Sequence, residues 1–157
     1  MRAQSGFTLF EVLVVISIIA IMCTLALPNF FGWTSGERLK SAANDIQAAV
    51  QLARLTAVKE NAIVIIAFDP NSKSYIMFVD NGSGAHAGNG AKDLDEPTVR
   101  HGAFPGNIEL ETSFAGNQLS FDGRGFTNAM GKGITVKDSS GRERVVEVTV
   151  TGSSRIL

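Results

Sequence analysis

The 157-residue chain has few of the side chains that most catalytic and metal sites need. Its only cysteine, Cys23, lies inside a long apolar run, so an intramolecular disulfide is impossible and a cysteine nucleophile is excluded by position. Its two histidines, His86 and His101, are fifteen residues apart in polar, loop-like sequence. Without cysteines at ligand spacing they do not predict a zinc site. The sequence therefore predicts no enzyme, no cofactor and no metal centre.

Charged residues, glycine and proline are also missing from residues 7–27, apart from Glu11. An α-helix rises about 1.5 Å per residue, so a run of this length spans roughly 30 Å, the thickness of a bilayer's hydrocarbon core. We therefore expect one membrane-spanning helix. Arg2 on the short N-terminal side and the polar remainder predict a cytoplasmic N-terminus and an exported C-terminal part.

Glu11 is a carboxylate without an evident partner in this run. No Lys, Arg or His lies between Glu11 and Arg38. A charge at the bilayer centre costs on the order of 2.5–3.5 kcal/mol, and less near the ends, so Glu11 needs a partner. A small-residue cleavage point at Gly6 precedes the apolar run, and cleavage there would create an α-amino group at Phe7. That amine could pair with Glu11 on the same helix or on a neighbouring copy.

The string Gly6-Phe7-Thr8-Leu9-Phe10-Glu11 and the apolar run behind it resemble the processing site of type IV prepilins and type II secretion pseudopilins. The resemblance implies that prepilin peptidase cuts between Gly6 and Phe7 and N-methylates Phe7, and that Glu11 pairs with a neighbour's amine during assembly. It also implies inner-membrane lipid and other pilins or pseudopilins as partners. The alternative is a signal anchor with an incidental glutamate.

Beyond the apolar run, Pro28 and Gly32 predict a helix kink or weak segment, because proline removes a backbone hydrogen bond and glycine lowers helix stability. An amphipathic pattern then runs over residues 37–60. Its apolar residues recur at three- and four-residue steps, which predicts one buried helical stripe: Leu39, Ala43, Ile46, Val50, Ala53 and Ala57. Asn61 is a suitable left-handed terminator.

From residue 62 onward the pattern changes to short β-prone runs. Strands are predicted at residues 62–68, 75–79, 108–114, 119–121, 134–137 and 145–151, and the first two form a hairpin. In the last strand, Val146, Val148 and Val150 alternate with polar residues, so one face should be buried. Together with the helix pattern, these strands resemble GspH/FimT-like minor pilins and pseudopilins.

Residues 81–97 predict a long mobile loop, because they contain four glycines and hardly any large apolar residue. Acidic residues lie in or beside it: Asp80, Asp93, Asp95 and Glu96. They lack the Asp-x-Asp-x-Asp-Gly framework of a calcium loop, so a solvated acidic loop is favoured over a calcium site.

The C-terminal part is locally basic, with six basic and three acidic residues over residues 124–157. Gly141-Arg142-Glu143-Arg144 matches a Gly-Arg-x-Arg pattern associated with DNA-binding FimT-like minor pilins. Such arginines hold phosphates without reading bases, and Arg124 and Arg155 are further candidates. A polar hairpin turn is favoured over DNA contact.

These observations predict an α+β protein, with a long N-terminal helix packed by its C-terminal half on an antiparallel β-sheet in a pilin-like fold. We divide it into a leader (1–6), a membrane and assembly helix (7–28) and a periplasmic globular domain (29–157). The predicted function is a minor pilin or pseudopilin, a structural subunit of a type IV pilus or a type II secretion pseudopilus. The alternative is a DNA-binding minor pilin for DNA uptake.

Overall fold

The computed structural model describes residues 7–82, 88–129 and 131–157, without the side chains of residues 25–33 and 132. Gly6, Arg2 and His86 lie outside the described residues. The chain separates into two compact units, with the boundary between Ser35 and Gly36, and each unit is described by itself.

The first unit contains the beginning of α1 (Leu9–Glu60). The backbone N–H of Glu11 donates a hydrogen bond to Oγ1 of Thr8 at 3.2 Å, so Thr8 caps the helix N-terminus. Ser17 and Thr24 each donate their hydroxyl hydrogen to the carbonyl oxygen four residues earlier, at 2.8 Å. The helix itself thus satisfies both hydroxyls. Over the residues that the structure describes, no helix has the combined length and apolar character of a membrane span.

The second part of α1 buries one face in the second unit. All six residues of the predicted stripe are buried, from Leu39 to Ala57, which confirms the helical pattern. Ala42 and Ala49 widen the stripe. The helix ends at Glu60, and Asn61 takes the left-handed conformation expected of a terminator, with φ of 47°.

Four antiparallel strands form the first sheet. β1 (Ile63–Asp69) and β2 (Ser74–Asp80) form the predicted hairpin, with Ile66 opposite Met77. β3 (Thr98–Ala103) pairs with the other edge of β2, and β5 (Gln118–Phe121) pairs with the other edge of β1, giving the order β3-β2-β1-β5.

β3 was not predicted, because this edge strand buries none of its residues fully and therefore lacks the apolar signal of a strand. It also corrects the expectation for His101. This histidine lies exposed on β3 rather than in a loop.

Four further antiparallel strands form a second sheet, where the sequence had suggested a single sheet. They are β4 (Ile108–Thr112), β6 (Lys132–Asp138), β7 (Glu143–Val148) and β8 (Ser154–Ile156), in the order β4-β6-β7-β8. The short β8 was not predicted, since three residues are too few to show a period.

The predicted alternation in the last long strand is correct for two of its three valines. Val146 and Val148 are fully buried on β7. Val150 lies beyond the end of the strand and is 45% exposed, so the expectation that it was buried is wrong.

Both sheets and the buried face of α1 share one hydrophobic core. Tyr75 is fully buried there, and its hydroxyl donates to Oδ2 of Asp45 at 2.8 Å. Asp45 also pairs with Arg100 on β3, so polar contacts join the helix to two strands. Gly102 faces the ring, and a Cβ at that position would lie 2.3 Å from Cε1 of Tyr75. Only glycine fits this close approach.

Candidate functional site

The first unit presents a continuous apolar surface. Over residues 7–22 the large apolar side chains are between 39% and 87% exposed and occupy twelve of the sixteen positions, so they surround the helix: Phe7, Leu9, Phe10, Val12, Leu13, Val14, Val15, Ile16, Ile18, Ile19, Ile21 and Met22. Water-soluble monomers rarely expose an apolar surface of this extent, which marks a contact with lipid or with other protein.

Glu11 lies in the first turn of this apolar helix. A negative charge is favoured there, because the helix dipole places partial positive charge at the N-terminus. Thr8 and Glu11 have the Thr-x-x-Glu spacing of a capping box, and Thr8 makes the corresponding contact to the Glu11 N–H. The Thr-x-x-Glu spacing is present in the sequence, but the unpaired charge of Glu11 did not predict a helix cap.

Phe7, on the C-terminal side of the predicted cleavage point, precedes α1 and is 84% exposed. Pro28 and Gly32 lie within α1, in the part whose side chains are not described. The kink at these two residues therefore stays a prediction, as do cleavage between Gly6 and Phe7 and the methylation of Phe7.

Arg142 is the best anchored of the four candidate DNA contacts. Its Nε and Nη2 lie 2.8 and 2.7 Å from Oδ2 of Asp138, whose side chain has no exposed surface. Asp138 also accepts hydrogen bonds from the backbone N–H of Ser140 and of Arg142. Arg142 additionally reaches α1, since a Cβ on Gly36 would lie 3.2 Å from its Nη1. Arg142 therefore has a structural role in the β6–β7 turn.

The electrostatics of this turn favour the charged form of Asp138. Burial alone would raise the pKa of this carboxyl group. The hydrogen bonds from the Arg142 side chain and from the backbone of Arg142 and Ser140 outweigh burial, and hold the pKa below its ordinary value of 3.8.

Two other candidate arginines also contact carboxylates. Arg124 pairs with Asp122 at 3.0 Å, and Arg155 pairs with Glu147 at 2.6 Å. Arg144 is exposed on β7 and lines a small hollow together with Lys40. Three of the four candidate arginines are therefore each paired with a carboxylate.

The acidic residues beside the 81–97 loop bind backbone groups. Asp80 is buried and accepts hydrogen bonds from the N–H of Gly88 at 2.7 Å and of Gly90 at 2.9 Å. Glu96 is also buried and accepts from the N–H of Gly82 and of Asp93. The expectation of a solvated acidic loop is therefore wrong for Asp80 and Glu96. Among the described residues, no cluster of acidic, histidine or cysteine side chains could hold a metal ion.

The fold places the chain in a known structural class. The crystal structure of the type IV minor pilin FimU from Pseudomonas aeruginosa matches with a TM-score of 0.61 at 19% identity, over 80% of this chain and 92% of that one. The minor pseudopilin EpsH from the type 2 secretion system of Vibrio cholerae matches with a TM-score of 0.60 at 12% identity, over 76% and 96%. At these identities the likeness establishes the fold, and it confirms the predicted pilin-like α+β class.

Two family models then identify the chain more closely. Residues 1–27 match the prokaryotic N-terminal methylation motif, and residues 42–153 match the type II transport protein GspH. The chain therefore belongs to the GspH family of minor pilins and pseudopilins, which are structural proteins.

Similar proteins include both pilins and type II secretion proteins. The pilin-like protein PilA1 of Thermus thermophilus is 31% identical over 165 residues, covering 98% of each chain. The type II secretion system protein H of Xanthomonas campestris pv. campestris is 27% identical over 154 residues, covering 98% of this chain and 83% of that one. A fimbrial protein of Pseudomonas aeruginosa is 29% identical over 75 residues, and the match spans about half (48%) of its length.

Proposed function

We propose that this chain is a subunit of a type IV pilus or a type II secretion pseudopilus, stored in the bacterial inner membrane before assembly. Residues 7–28 are the membrane and assembly helix, with the N-terminus in the cytoplasm and residues 29–157 in the periplasm. The observation that carries the proposal is the apolar surface that surrounds the helix over residues 7–22, directly after the Gly6-Phe7 motif.

Processing prepares the helix for assembly. Prepilin peptidase removes residues 1–6 and methylates the new amine of Phe7. This leaves a positive charge at the start of the apolar helix, four residues before Glu11. In a low-dielectric surrounding the attraction between such an amine and a carboxylate is much stronger than in water.

Assembly covers the apolar helix with neighbouring helices. Apolar surface costs about 25 cal/mol per Å² when it is exposed to water, so the helix can leave lipid only if other subunits replace the lipid contacts. The Glu11 carboxylate of one subunit then pairs with the Phe7 amine of the next. This pairing sets how far neighbouring helices are shifted along their axes.

The proposal is tested by expressing Gly6→Val and Glu11→Gln variants in a host that has a prepilin peptidase and an assembling filament. Gly6→Val should remain an unmethylated full-length precursor by mass spectrometry. Glu11→Gln should be processed but enter the filament fraction poorly. The Thr8 cap uses the backbone N–H of Glu11, so Glu11→Gln leaves it in place. Ser17→Ala, on the same apolar helix, is the matched control, and an intact Met1 in wild-type filaments would contradict the proposal.

DNA uptake has less support as an alternative function. Three of the four arginines that the sequence suggested for DNA contact form pairs with Asp138, Asp122 and Glu147. A carboxylate next to each arginine opposes the approach of a phosphate.

A further inference from the structure

The sequence contains two Asn-Gly dipeptides, Asn81-Gly82 and Asn89-Gly90, and both fall in the 81–97 loop. An asparagine followed by glycine is prone to deamidation, in which the backbone nitrogen of the next residue attacks the side-chain amide carbon. Glycine favours the attack because it has no Cβ to hinder the approach and its backbone turns easily. Both asparagines are exposed, so water reaches both of them. The sequence alone therefore makes the two sites equally susceptible.

The backbone on both sides of Asn89 is anchored to a buried carboxylate. Asp80 accepts hydrogen bonds from the N–H of Gly88 at 2.7 Å and from the N–H of Gly90 at 2.9 Å. The carbonyl oxygen of Gly90 also accepts a hydrogen bond from Nε2 of Gln118 at 3.0 Å. The nitrogen of Gly90 can turn toward the Asn89 side chain only if it gives up a hydrogen bond to a buried charge, which is costly.

The side chain of Asn89 is also bound at both ends of its amide. Its Nδ2 donates to Oδ2 of Asp93 at 2.6 Å, and its Oδ1 accepts from the N–H of Ala91 at 2.7 Å. The first of these bonds involves a carboxylate and is therefore stronger than a hydrogen bond between neutral groups. Ring closure at Asn89 requires the loss of these contacts together with the anchor of Gly90.

Asn81 lies in a different environment. It directly follows β2, and its side chain forms no hydrogen bond in the part of the chain that the structure describes. The N–H of Gly82 lies 3.3 Å from Oε1 of Glu96, a longer contact than the 2.9 Å between Gly90 and Asp80. The side-chain amide of Asn81 can therefore rotate onto the nitrogen of Gly82 at the loss of one long hydrogen bond.

We propose that Asn81 is a site of spontaneous deamidation in the folded protein, and that the fold protects Asn89 from the same reaction. The backbone nitrogen of Gly82 gives up its proton and bonds to Cγ of Asn81. The bond between Cγ and Nδ2 breaks, and Nδ2 leaves with that proton as ammonia.

Water, the only co-reactant, then opens the cyclic imide at either of its two carbonyl groups. The product at position 81 is aspartate or isoaspartate. Either product places a new negative charge directly after buried Asp80, and isoaspartate also lengthens the backbone by one methylene group before Gly82.

Peptide mapping by mass spectrometry tests the assignment on the full-length protein, incubated in detergent at mildly alkaline pH. In the folded protein Asn81 should convert at least about tenfold faster than Asn89, which corresponds to a difference in barrier of about 1.4 kcal/mol. In urea at a denaturing concentration the two sites should react at similar rates, because each is followed by glycine and the contacts of the fold are gone.

Two variants separate the effect of the contacts from that of the local sequence. Asp93→Ala removes the acceptor of the Asn89 amide and should speed conversion at Asn89 without changing the rate at Asn81. Gly82→Ala adds a Cβ beside the attacking nitrogen and should slow conversion at Asn81 alone. Equal or faster conversion of Asn89 in the folded protein, or an unchanged ratio of the two rates in urea, would overturn the inference.

Discussion

Arg142 and Asp138 form an ion pair across the β6–β7 turn in which the carboxylate is fully buried and the guanidinium remains 46% exposed. Removing the arginine takes its charge and its side-chain donors away from a buried carboxylate. We therefore expect Arg142→Ala to lower the free energy of unfolding by about 1–3 kcal/mol. Urea denaturation of the full-length protein in detergent, followed by circular dichroism, would measure this.

Arg144→Ala is the matched control for that experiment, because Arg144 is exposed two residues further along β7. Its effect should stay within about 0.5 kcal/mol. The free energy of unfolding of Arg142→Lys should fall between those of the two alanine variants, because lysine keeps the charge but not the contact through two nitrogens. Equal stability of the Arg142→Ala and Arg144→Ala variants would show that the pair does not stabilise the turn.

The same pair predicts how stability changes in acid. The folded-state pKa of Asp138 lies below the ordinary value of 3.8. The stabilisation that the charged carboxylate gives to the fold is therefore fully present above that value. The contribution is lost as the pH falls through the folded-state pKa. Wild-type protein should therefore lose more unfolding free energy between pH 5 and strongly acidic solution than Asp138→Asn does. Parallel pH curves for the two proteins would contradict this.

The elements that sequence predicted best are those whose signal is local. The stripe on α1 and the β1–β2 hairpin depend on residues a few positions apart, and both are confirmed. The role of Arg142 was not predictable, because it depends on the turn placing its side chain against Asp138 and Gly36. β3 was not predicted because it is an edge strand. It is held by hydrogen bonds to β2 but buries little apolar surface, so its sequence lacks the apolar pattern of a strand.

The hydrogen bond between buried Tyr75 and half-buried Asp45 gives a prediction in alkaline solution. Burial first, and then the hydrogen bond to the Asp45 carboxylate, raise the pKa of Tyr75. Because its folded-state pKa is raised, neutral Tyr75 stabilises the fold at pH values below its unfolded-state pKa of 10.0. This stabilisation is lost as the pH rises through the folded-state pKa. Since Tyr75 is the only tyrosine, tyrosinate absorbance should appear together with unfolding rather than before it. Tyrosinate formation in protein that still has native circular dichroism would contradict the buried contact.

Binding to DNA should be weak and strongly dependent on salt. Each phosphate contact adds about 0.9 to the slope of log K against log salt, and among the four candidate arginines Arg144 shares a hollow with a lysine, Lys40. Replacing both with alanine should reduce the slope by about 2 in fluorescence anisotropy with duplex DNA. Arg124→Ala, which removes an arginine paired with Asp122, is the control. Tight binding by wild-type protein at physiological salt would favour the DNA-uptake alternative instead.

The acidic residues beside the 81–97 loop should control its susceptibility to protease. Glu96→Gln replaces a buried carboxylate that accepts from the N–H of Gly82 and of Asp93, so the loop should open more often. A loss of about 1.4 kcal/mol would raise cleavage in the loop about tenfold, as measured by limited proteolysis and mass spectrometry. Asn81→Ala, which changes an exposed residue of the same loop, should leave the rate nearly unchanged. Added Ca²⁺ should protect neither protein, because the carboxylates of Asp80 and Glu96 already bind backbone N–H groups. Protection of wild-type protein by Ca²⁺, absent from Glu96→Gln, would instead make this loop a calcium site.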